Sequence, residues 1–313
     1  MDDYPKNLSQ FENWFSTEED CREYLFRIRW PNIFQCPRCG HDKTWPIGST
    51  LFQCAGCNYQ LSVIAGTIFQ DTHQPLTMWF RAIWWVTGQK NGASALGLQR
   101  ILGLGSYRTA WAWLHKLRRA MVTPGRDRLS GTVEIDETYI GGEKPGKRGR
   151  GAAGKTLVLI ATEVKEEHIG RIRLRNIPDA SAESLEYAIL ETVELNSTIR
   201  TDGWSGYSQL STLGFFHEVV QNAADTDKNL LPACHRVASL LKRWLLGTHQ
   251  GAVSQAHLGY YLDEFTFRFN RRTSHHRGLL FYRLLQNATA AGPTTFEELK
   301  KGVRGRKPLH HKI

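Results

Sequence analysis

Three consecutive segments in the middle of the chain have strand-like patterns of apolar and polar residues. The first mixes apolar residues with acidic ones, the second is a continuous apolar run, and the third alternates with a period of two. Short apolar or alternating runs of this kind are typical of β-strands. The predicted strands are GTVEIDETYIGG, TLVLIATEV and GRIRLRNI, with a hairpin turn within KEEHIG between the second and third.

Helical and extended patterns alternate after these strands. The sequence predicts an amphipathic helix at 181–195, a fourth strand, STIRTD, that ends at Asp202, and a fifth strand, FHEVVQ. Two helices follow, at 234–246 and over HLGYYLDEFTFRFNRR. Three antiparallel strands followed by strands connected through helices predict an RNase H-like α/β fold, a mixed sheet with flanking helices, over residues 131–290.

Residues 73–130 have the three-to-four-residue periodicity of helices. The predicted helices are TMWFRAIWWVT, ASALGLQRIL and SYRTAWAWLHKLRRAM. The last two are joined by Gly103-Leu104-Gly105, a short turn that predicts a helix-turn-helix-like DNA-binding domain followed by a linker. A plain helical bundle with a solvated basic face is the alternative.

Residues 1–72 combine an N-terminal helix with two CxxC pairs that are separated by fourteen residues. Each CxxC turn can direct two thiolates at one ion, and two such turns make a closed tetrahedral site suited to structural Zn²⁺. Two disulfides are the alternative, but the absence of an export signal favours the metal. The predicted ligands are Cys36, Cys39, Cys54 and Cys57.

Composition and charge narrow the possible partners. The 313 residues include 40 Lys and Arg against 30 Asp and Glu, a net charge of +10 that favours a polyanionic partner. The hydrophobic fraction of 41% excludes wholesale disorder. Because no apolar run approaches the roughly 20 residues that cross a bilayer, and no secretory signal is visible, we expect a cytoplasmic protein without a membrane partner.

Basic side chains on the third helix and after Phe267 are candidates for phosphate contacts. Such charges neutralise phosphates without identifying a base sequence. For the basic tail at 291–313, a disordered solubilising segment is the alternative. The predicted DNA-binding residues are Arg108, Lys116, Arg118, Arg119, Arg268, Arg271 and Arg272.

Two aspartates occupy strand positions that suggest a functional role for their carboxylates. Asp136 lies within the apolar first strand, where a charge is costly unless it is paired or bound to a metal. Asp202 ends the fourth strand, which lies beside the first strand in this fold. Two carboxylates that meet there suit Mg²⁺ and the two-metal displacement of a phosphodiester. The alternative is that each Asp caps a strand end.

His235 and Lys242 are seven residues apart on a predicted helix. Seven residues are two helical turns, so both side chains lie on one face. A solvated helix with a surface His and Lys is the alternative.

Taken together, these segments resemble bacterial insertion-sequence transposases of the DDE superfamily, in the group with an N-terminal zinc ribbon and an integrase-like catalytic domain. The resemblance spans residues 17–290, and the segments occur in the family's order. The segments that match are Trp30-Pro31, CPRCG, CAGC, GTIF, EIDETYIGG, TDGWSGY, KRWLLGTH, HLGYYLDEFTFRFNRR and RGLLFYRLL.

The resemblance implies roles for four residues. Asp136 matches the first catalytic aspartate, and Asp202 matches the second. In this group the third metal ligand is Glu, Asn or His, seven residues before a Lys, which here makes His235 the ligand and Lys242 the Lys. The implied protein is a DNA transposase with catalytic Mg²⁺ or Mn²⁺ that binds terminal inverted repeats in double-stranded DNA, and cleaves and joins strands. Because two ends must be brought together, we also expect a homo-oligomer on DNA.

His235 departs from the Glu that is usual in the superfamily. A neutral imidazole binds softer ions more readily than Mg²⁺. Glu264 is the rival third ligand, although it lies sixty-two residues beyond Asp202. Two alternative functions remain. The first is a non-catalytic DNA-binding protein with a zinc ribbon and a helix-turn-helix, or an inactivated transposase copy. The second is a general nuclease of the same fold. Because all four implied positions hold compatible residues, the active transposase is favoured.

Overall fold

The computed structural model of the protein describes residues 3–123, 125–141, 155–166, 168–220 and 230–302. The helices are α1 (Leu8–Trp14), α2 (Glu18–Arg29), α3 (Leu76–Gly88), α4 (Ala95–Leu102), α5 (Tyr107–Ala120), α6 (Ala182–Thr192), α7 (Pro232–His249), α8 (Leu258–Asn270), α9 (Arg277–Ala290) and α10 (Phe296–Lys301). The strands are β1 (Thr44–Ile47), β2 (Leu51–Cys54), β3 (Gln60–Ser62), β4 (Thr132–Ile140), β5 (Thr156–Lys165), β6 (His168–Ile177), β7 (Thr198–Thr201) and β8 (Phe216–Val219). The end of the predicted basic tail, from 303 onward, lies outside the described residues.

The residues group into two compact units. One contains Met1–Pro124 and Thr273–Lys300, and the other contains Gly125–Arg272 and Lys301–Ile313, each as far as it is described. None of the helices within the described ranges has the length and hydropathy that a membrane-spanning segment needs.

The first unit begins with helices and a small antiparallel sheet in the order β1-β2-β3. Helix α2 begins where the sequence predicts, because Thr17 and Asp20 form a capping box in which each side chain accepts the other's backbone amide hydrogen. The small sheet packs against this helix, since the ring of Phe52 lies 4.6 Å from that of Phe26.

The three helices predicted between residues 76 and 121 are confirmed as α3, α4 and α5. The turn between α4 and α5 contains Gly103, whose φ of 63° lies in the left-handed region that favours glycine. Whether these helices bind DNA stays a prediction. The division into domains at residues 72, 130 and 290 also stays a prediction. Helix α9, however, packs within the first unit, where the ring centroid of Phe281 lies 5.6 Å from that of Phe15 and 5.7 Å from that of Phe80.

The second unit is built on a five-stranded sheet in the order β6-β5-β4-β7-β8. Strands β4, β5 and β6 are antiparallel neighbours, whereas β7 runs parallel to β4 and β8 runs parallel to β7. This mixed sheet with flanking helices confirms the RNase H-like fold predicted from the sequence. It also confirms that the strand of Asp136 lies beside the strand that leads to Asp202.

Each face of this sheet carries its own apolar core because successive side chains of a strand point to opposite faces. On one face, Val133 and Ile135 of β4 pack with α6. On the other, Val158 and Ile160 of β5 pack with α7 and α8. Glu134 and Asp136 therefore lie on the face of β4 that α7 covers.

Candidate active site and metal centre

The four predicted zinc ligands converge in the first unit. The Sγ atoms of Cys36 and Cys57 are 3.7 Å apart, and those of Cys39 and Cys54 are 3.6 Å apart. All four lie within 4.8 Å of one another. A tetrahedron of sulfurs about 2.3 Å from a central Zn²⁺ has S···S distances of roughly 3.8 Å, so the arrangement fits a single ion. The distances are well beyond the roughly 2.05 Å of a disulfide.

The polar knuckles around these cysteines are shaped by the backbone. Gly40 has a φ of 75°, and its amide donates to the carbonyl oxygen of Cys36 at 2.9 Å. The amide of Gly56 donates to Cys54 Sγ at 3.3 Å, which is the contact that stabilises a thiolate in a zinc knuckle. Cys21 and Cys234 are fully buried elsewhere, as expected for ordinary core thiols.

In the second unit, Asp136 meets the first turn of α7. Its Oδ2 atom lies 3.3 Å from His235 Nε2. The side chain of Asp136 is 21% exposed and that of His235 is 51% exposed, so both remain accessible to a ligand. The amide of Glu137 donates to Asp136 Oδ1 at 2.8 Å and fixes the carboxylate's orientation.

Lys242 joins this pair through a shared pocket. The pocket is open and has a volume of about 460 Å³. Its residues come from the end of β4 and from one face of α7, where the spacing of three and four residues brings side chains into line. The lining residues are Asp136, Glu137, Thr138, His235, Ala238, Ser239 and Lys242.

Asp202 lies just beyond β7 and is exposed. The last aligned pair of β4 and β7 is Glu134 with Arg200, so Asp136 and Asp202 each stand two residues further along neighbouring strands. Asp202 Oδ1 accepts the amide hydrogen of Trp204 at 3.0 Å. A second link is the hydroxyl of Tyr207, which donates to Glu137 Oε1 at 2.6 Å and so ties the segment after Asp202 to β4.

Burial raises the pKa of the Asp136 carboxyl above its ordinary value. The negative charge of Asp202 raises it further, while the Glu137 amide, His235 and Lys242 lower it. The ionised form is therefore under-compensated, and a cation near Asp136 would stabilise it. Among the described residues, however, only the cysteine cluster brings three or more potential metal ligands together, so Asp202 does not close a group with Asp136 and His235.

Glu134 is a part of this region to which the sequence pattern gave no role. Its side chain is buried, and its Oε2 atom accepts the amide hydrogens of Ala233 at 2.8 Å and of Cys234 at 3.0 Å. The available sequence signals were its position two residues before Asp136 and the lack of a capping side chain at Leu231, the residue directly before α7.

The rival ligand Glu264 lies elsewhere. It is buried on α8 and forms an ion pair with Arg268 at 2.8 Å. It does not line the pocket. Arg268, which was predicted to contact phosphate, is only 13% exposed in this pair. Moving its guanidinium to a phosphate would leave the buried carboxylate of Glu264 as an uncompensated charge.

The other predicted DNA-binding residues differ in accessibility. Arg118 is buried, and desolvation lowers the pKa of the half-buried Lys116. Arg108 and Arg119 are exposed on α5. At the end of α8, the guanidinium groups of Arg271 and Arg272 lie over the rings of Phe267 and Phe269, at 4.2 and 4.1 Å.

Comparison with known proteins gives two family matches. Residues 128–270 match the ISXO2-like transposase domain, and residues 16–60 match the transposase zinc-ribbon domain. These ranges contain the pocket and the cysteine cluster, respectively.

Two individual proteins are also similar. An uncharacterized protein in transposable element ISH50 of Halobacterium salinarum is 29% identical over 287 residues, which are 81% of this chain and 91% of the relative. The crystal structure of the catalytic core domain of BIV integrase aligns with a TM-score of 0.32 and 17% identity, over 48% of this chain and 89% of that one. With both family domains present in the order that the sequence resemblance implies, the chain belongs to the DDE transposases that carry an N-terminal zinc ribbon.

Proposed function

We propose that this transposase binds the terminal inverted repeats of an insertion sequence and catalyses metal-dependent strand cleavage and strand transfer. The observation that carries the proposal is the shared pocket of Asp136, His235 and Lys242. A carboxylate, an imidazole and an ammonium group around one open pocket suit a phosphodiester held next to a divalent cation.

Asp136 and His235, 3.3 Å apart, are the residues that would hold Mg²⁺ or Mn²⁺, and Asp202, which does not close a group with them in this structure, is the third ligand that the family resemblance implies. Two such ions, when bound, activate the attacking oxygen and stabilise the leaving oxygen of an in-line displacement. The raised pKa of Asp136 supports the fit, because a nearby cation relieves its under-compensated charge. An imidazole ligand favours Mn²⁺ over Mg²⁺. Lys242, exposed at the pocket, positions a non-bridging phosphate oxygen as a point charge.

One pocket can serve both reaction steps. Hydrolysis at the transposon end frees a 3′-hydroxyl, and this hydroxyl then attacks a phosphorus atom of the target DNA. Both steps are displacements at a phosphodiester, so they need the same arrangement of carboxylates and cation.

DNA binding outside the pocket is assigned to the exposed cations. Arg108, Arg119 and Arg272 remain as phosphate contacts, with Arg271 and Lys116 lesser ones because both are half-buried. Arg118 and Arg268 are not retained, since burial withdraws them from a polyanion.

Transposition requires two ends in one complex, and we therefore expect a homo-oligomer on DNA. Light scattering of the complex with paired ends should give the mass of at least two chains. A mass of one chain per paired-end complex would contradict this.

The test of the proposed reaction is a cleavage and strand-transfer assay on a labelled duplex that carries the element's own ends, with Mg²⁺ or Mn²⁺ and with EDTA as the metal-free reference. Wild-type protein should produce nicked and joined products. His235→Ala should reduce both by about 10²-fold or more, since it removes a proposed ligand. The matched control is His168→Ala, an exposed His at the start of β6 that does not line the pocket.

Each other result has a definite meaning. Equal product from wild type and His235→Ala would exclude His235 as a ligand. Specific end binding by wild type without any product would instead support the non-catalytic DNA-binding protein.

A further inference from the structure

We propose that Glu134 is a positioning residue of the active site: its buried carboxylate caps the N-terminus of α7 and thereby holds His235 and Lys242 opposite Asp136. The inference rests on the proposed function, because it assigns a task within the same pocket. Glu134 does not line the pocket, so it acts through its neighbours rather than on the substrate.

The N-terminus of α7 has no capping group of its own. Leu231, at the cap position, offers no side-chain acceptor, and Pro232, the first helical residue, has no amide hydrogen. The next two amides, of Ala233 and Cys234, both donate to Glu134. The carboxylate therefore occupies the place that a Ser, Thr or Asp of the helix itself ordinarily takes.

The charge of Glu134 suits this place. The N-terminus of a helix carries a partial positive charge, and an anion close to the first turn is stabilised by it. Glu134 is 4% exposed, so water screens this interaction little. A buried carboxylate needs such partners, which explains why an acidic residue is accommodated in the apolar part of β4.

The same residue links both sides of the pocket. On β4, Glu134 precedes Asp136 by two positions and points to the same face. On α7, the amides that it binds belong to the residues directly before His235. The distance between Asp136 and His235 thus depends on one short chain of covalent and hydrogen bonds, in which an error of about 1 Å can cost about 10²-fold in rate.

A second contact supports the same attachment. The thiol of Cys234 lies 3.5 Å from the carbonyl oxygen of Ile160 and 3.6 Å from Thr162 Oγ1, both on β5. The first turn of α7 is therefore held against two neighbouring strands. Glu134 provides the only charged bond among these described contacts.

The experiment uses full-length protein with zinc bound and compares Glu134→Ala, Glu134→Gln and Glu163→Gln. Glu163 is the matched control: it is also 4% exposed and lies on the same sheet, but its carboxylate binds Arg171 and the amide of Ser130 rather than α7. Two quantities are measured. One is hydrogen exchange of the peptide covering the first turns of α7, and the other is cleavage rate as a function of Mn²⁺ concentration.

We expect Glu134→Ala to raise exchange in this peptide by about tenfold or more relative to the rest of the second unit. The cleavage rate at saturating Mn²⁺ should fall by about 10²-fold, and half-maximal cleavage should need more Mn²⁺. Glu134→Gln keeps one acceptor oxygen and should lie between wild type and Glu134→Ala. Glu163→Gln should not change exchange in α7 selectively.

The proposal is overturned if α7 exchanges as in wild type in both Glu134 variants, or if exchange rises while cleavage and its Mn²⁺ dependence stay unchanged. Should Glu134→Ala fail to fold, Glu134→Gln decides between these outcomes. If wild-type protein cleaves no DNA, the proposed function fails, whereas the exchange measurement still reports whether Glu134 holds α7.

Discussion

Replacing Asp136 with Asn is expected to reduce strand cleavage and strand transfer by at least about 10³-fold. The substitution preserves the shape of the side chain and removes its charge. Asp136 is the member of the pocket that contacts His235, and its pKa is raised by the charge of Asp202 and lowered by that of Lys242. Without the negative charge of Asp136, the site would lack a carboxylate that the proposed mechanism assigns to holding a divalent cation.

The measurement is single-turnover cleavage of a labelled end duplex, together with a gel-shift titration of the same duplex. End binding should stay within about twofold of wild type, because a neutral amide in the pocket increases the net positive charge slightly. Glu183→Gln is the matched control, since it removes one exposed acidic charge from α6, outside the pocket. Cleavage by Asp136→Asn at the control's rate would show that the chemistry takes place elsewhere.

Loss of zinc is expected to unfold the ribbon and to abolish specific binding of the element's ends. The apolar cluster of the ribbon has only four buried residues, two of which are the proposed ligands Cys36 and Cys54. A core of this size cannot order the segment alone, whereas a structural zinc site contributes about 10–16 kcal/mol. We therefore expect the folded state of residues 36–62 to depend on the ion.

Cys54→Ser tests this dependence, with Cys21→Ala as the control for loss of a buried thiol outside the cluster. Metal analysis should give one zinc per chain for wild type and for the control, and none for Cys54→Ser. Hydrogen exchange should become fast in the ribbon alone, and specific end binding should fall by at least about 10²-fold as a folded DNA-binding module is lost. Slow exchange in the ribbon of zinc-free protein would refute a structural role for the metal.

Local sequence signals were sufficient for the features that depend on nearby residues. The CxxC spacing predicted the cysteine cluster, and the apolar pattern around Asp136 predicted the strand that carries it. The seven-residue spacing predicted that His235 and Lys242 share a face, and both line the pocket. Each of these depends on the period of one element or on the reach of one turn.

Features that depend on contacts between residues far apart in the sequence could not be predicted from local patterns. The bond from Ala233 to Glu134 joins residues 99 positions apart. Arg118 and Arg268 resembled solvent-facing cations, but a helical pattern does not identify which neighbour covers a long side chain. The membership of α9 in the first unit depends on the ring contacts of Phe281 with Phe15 and Phe80, which no local periodicity encodes.

The alternation of side chains along β4 has a consequence for how such an element decays in a genome. Glu134 and Asp136 reach α7 because they point to the same face of the strand, whereas Glu137 points to the opposite face and contacts Tyr207. Loss of the single codon between Glu134 and Asp136 would turn every later side chain of the strand to the opposite face of the sheet. The ribbon, which folds in the other unit, would be unaffected. If the proposed function holds, a three-nucleotide deletion would thus convert a protein that catalyses its element's mobility into one that only competes for the ends of intact copies.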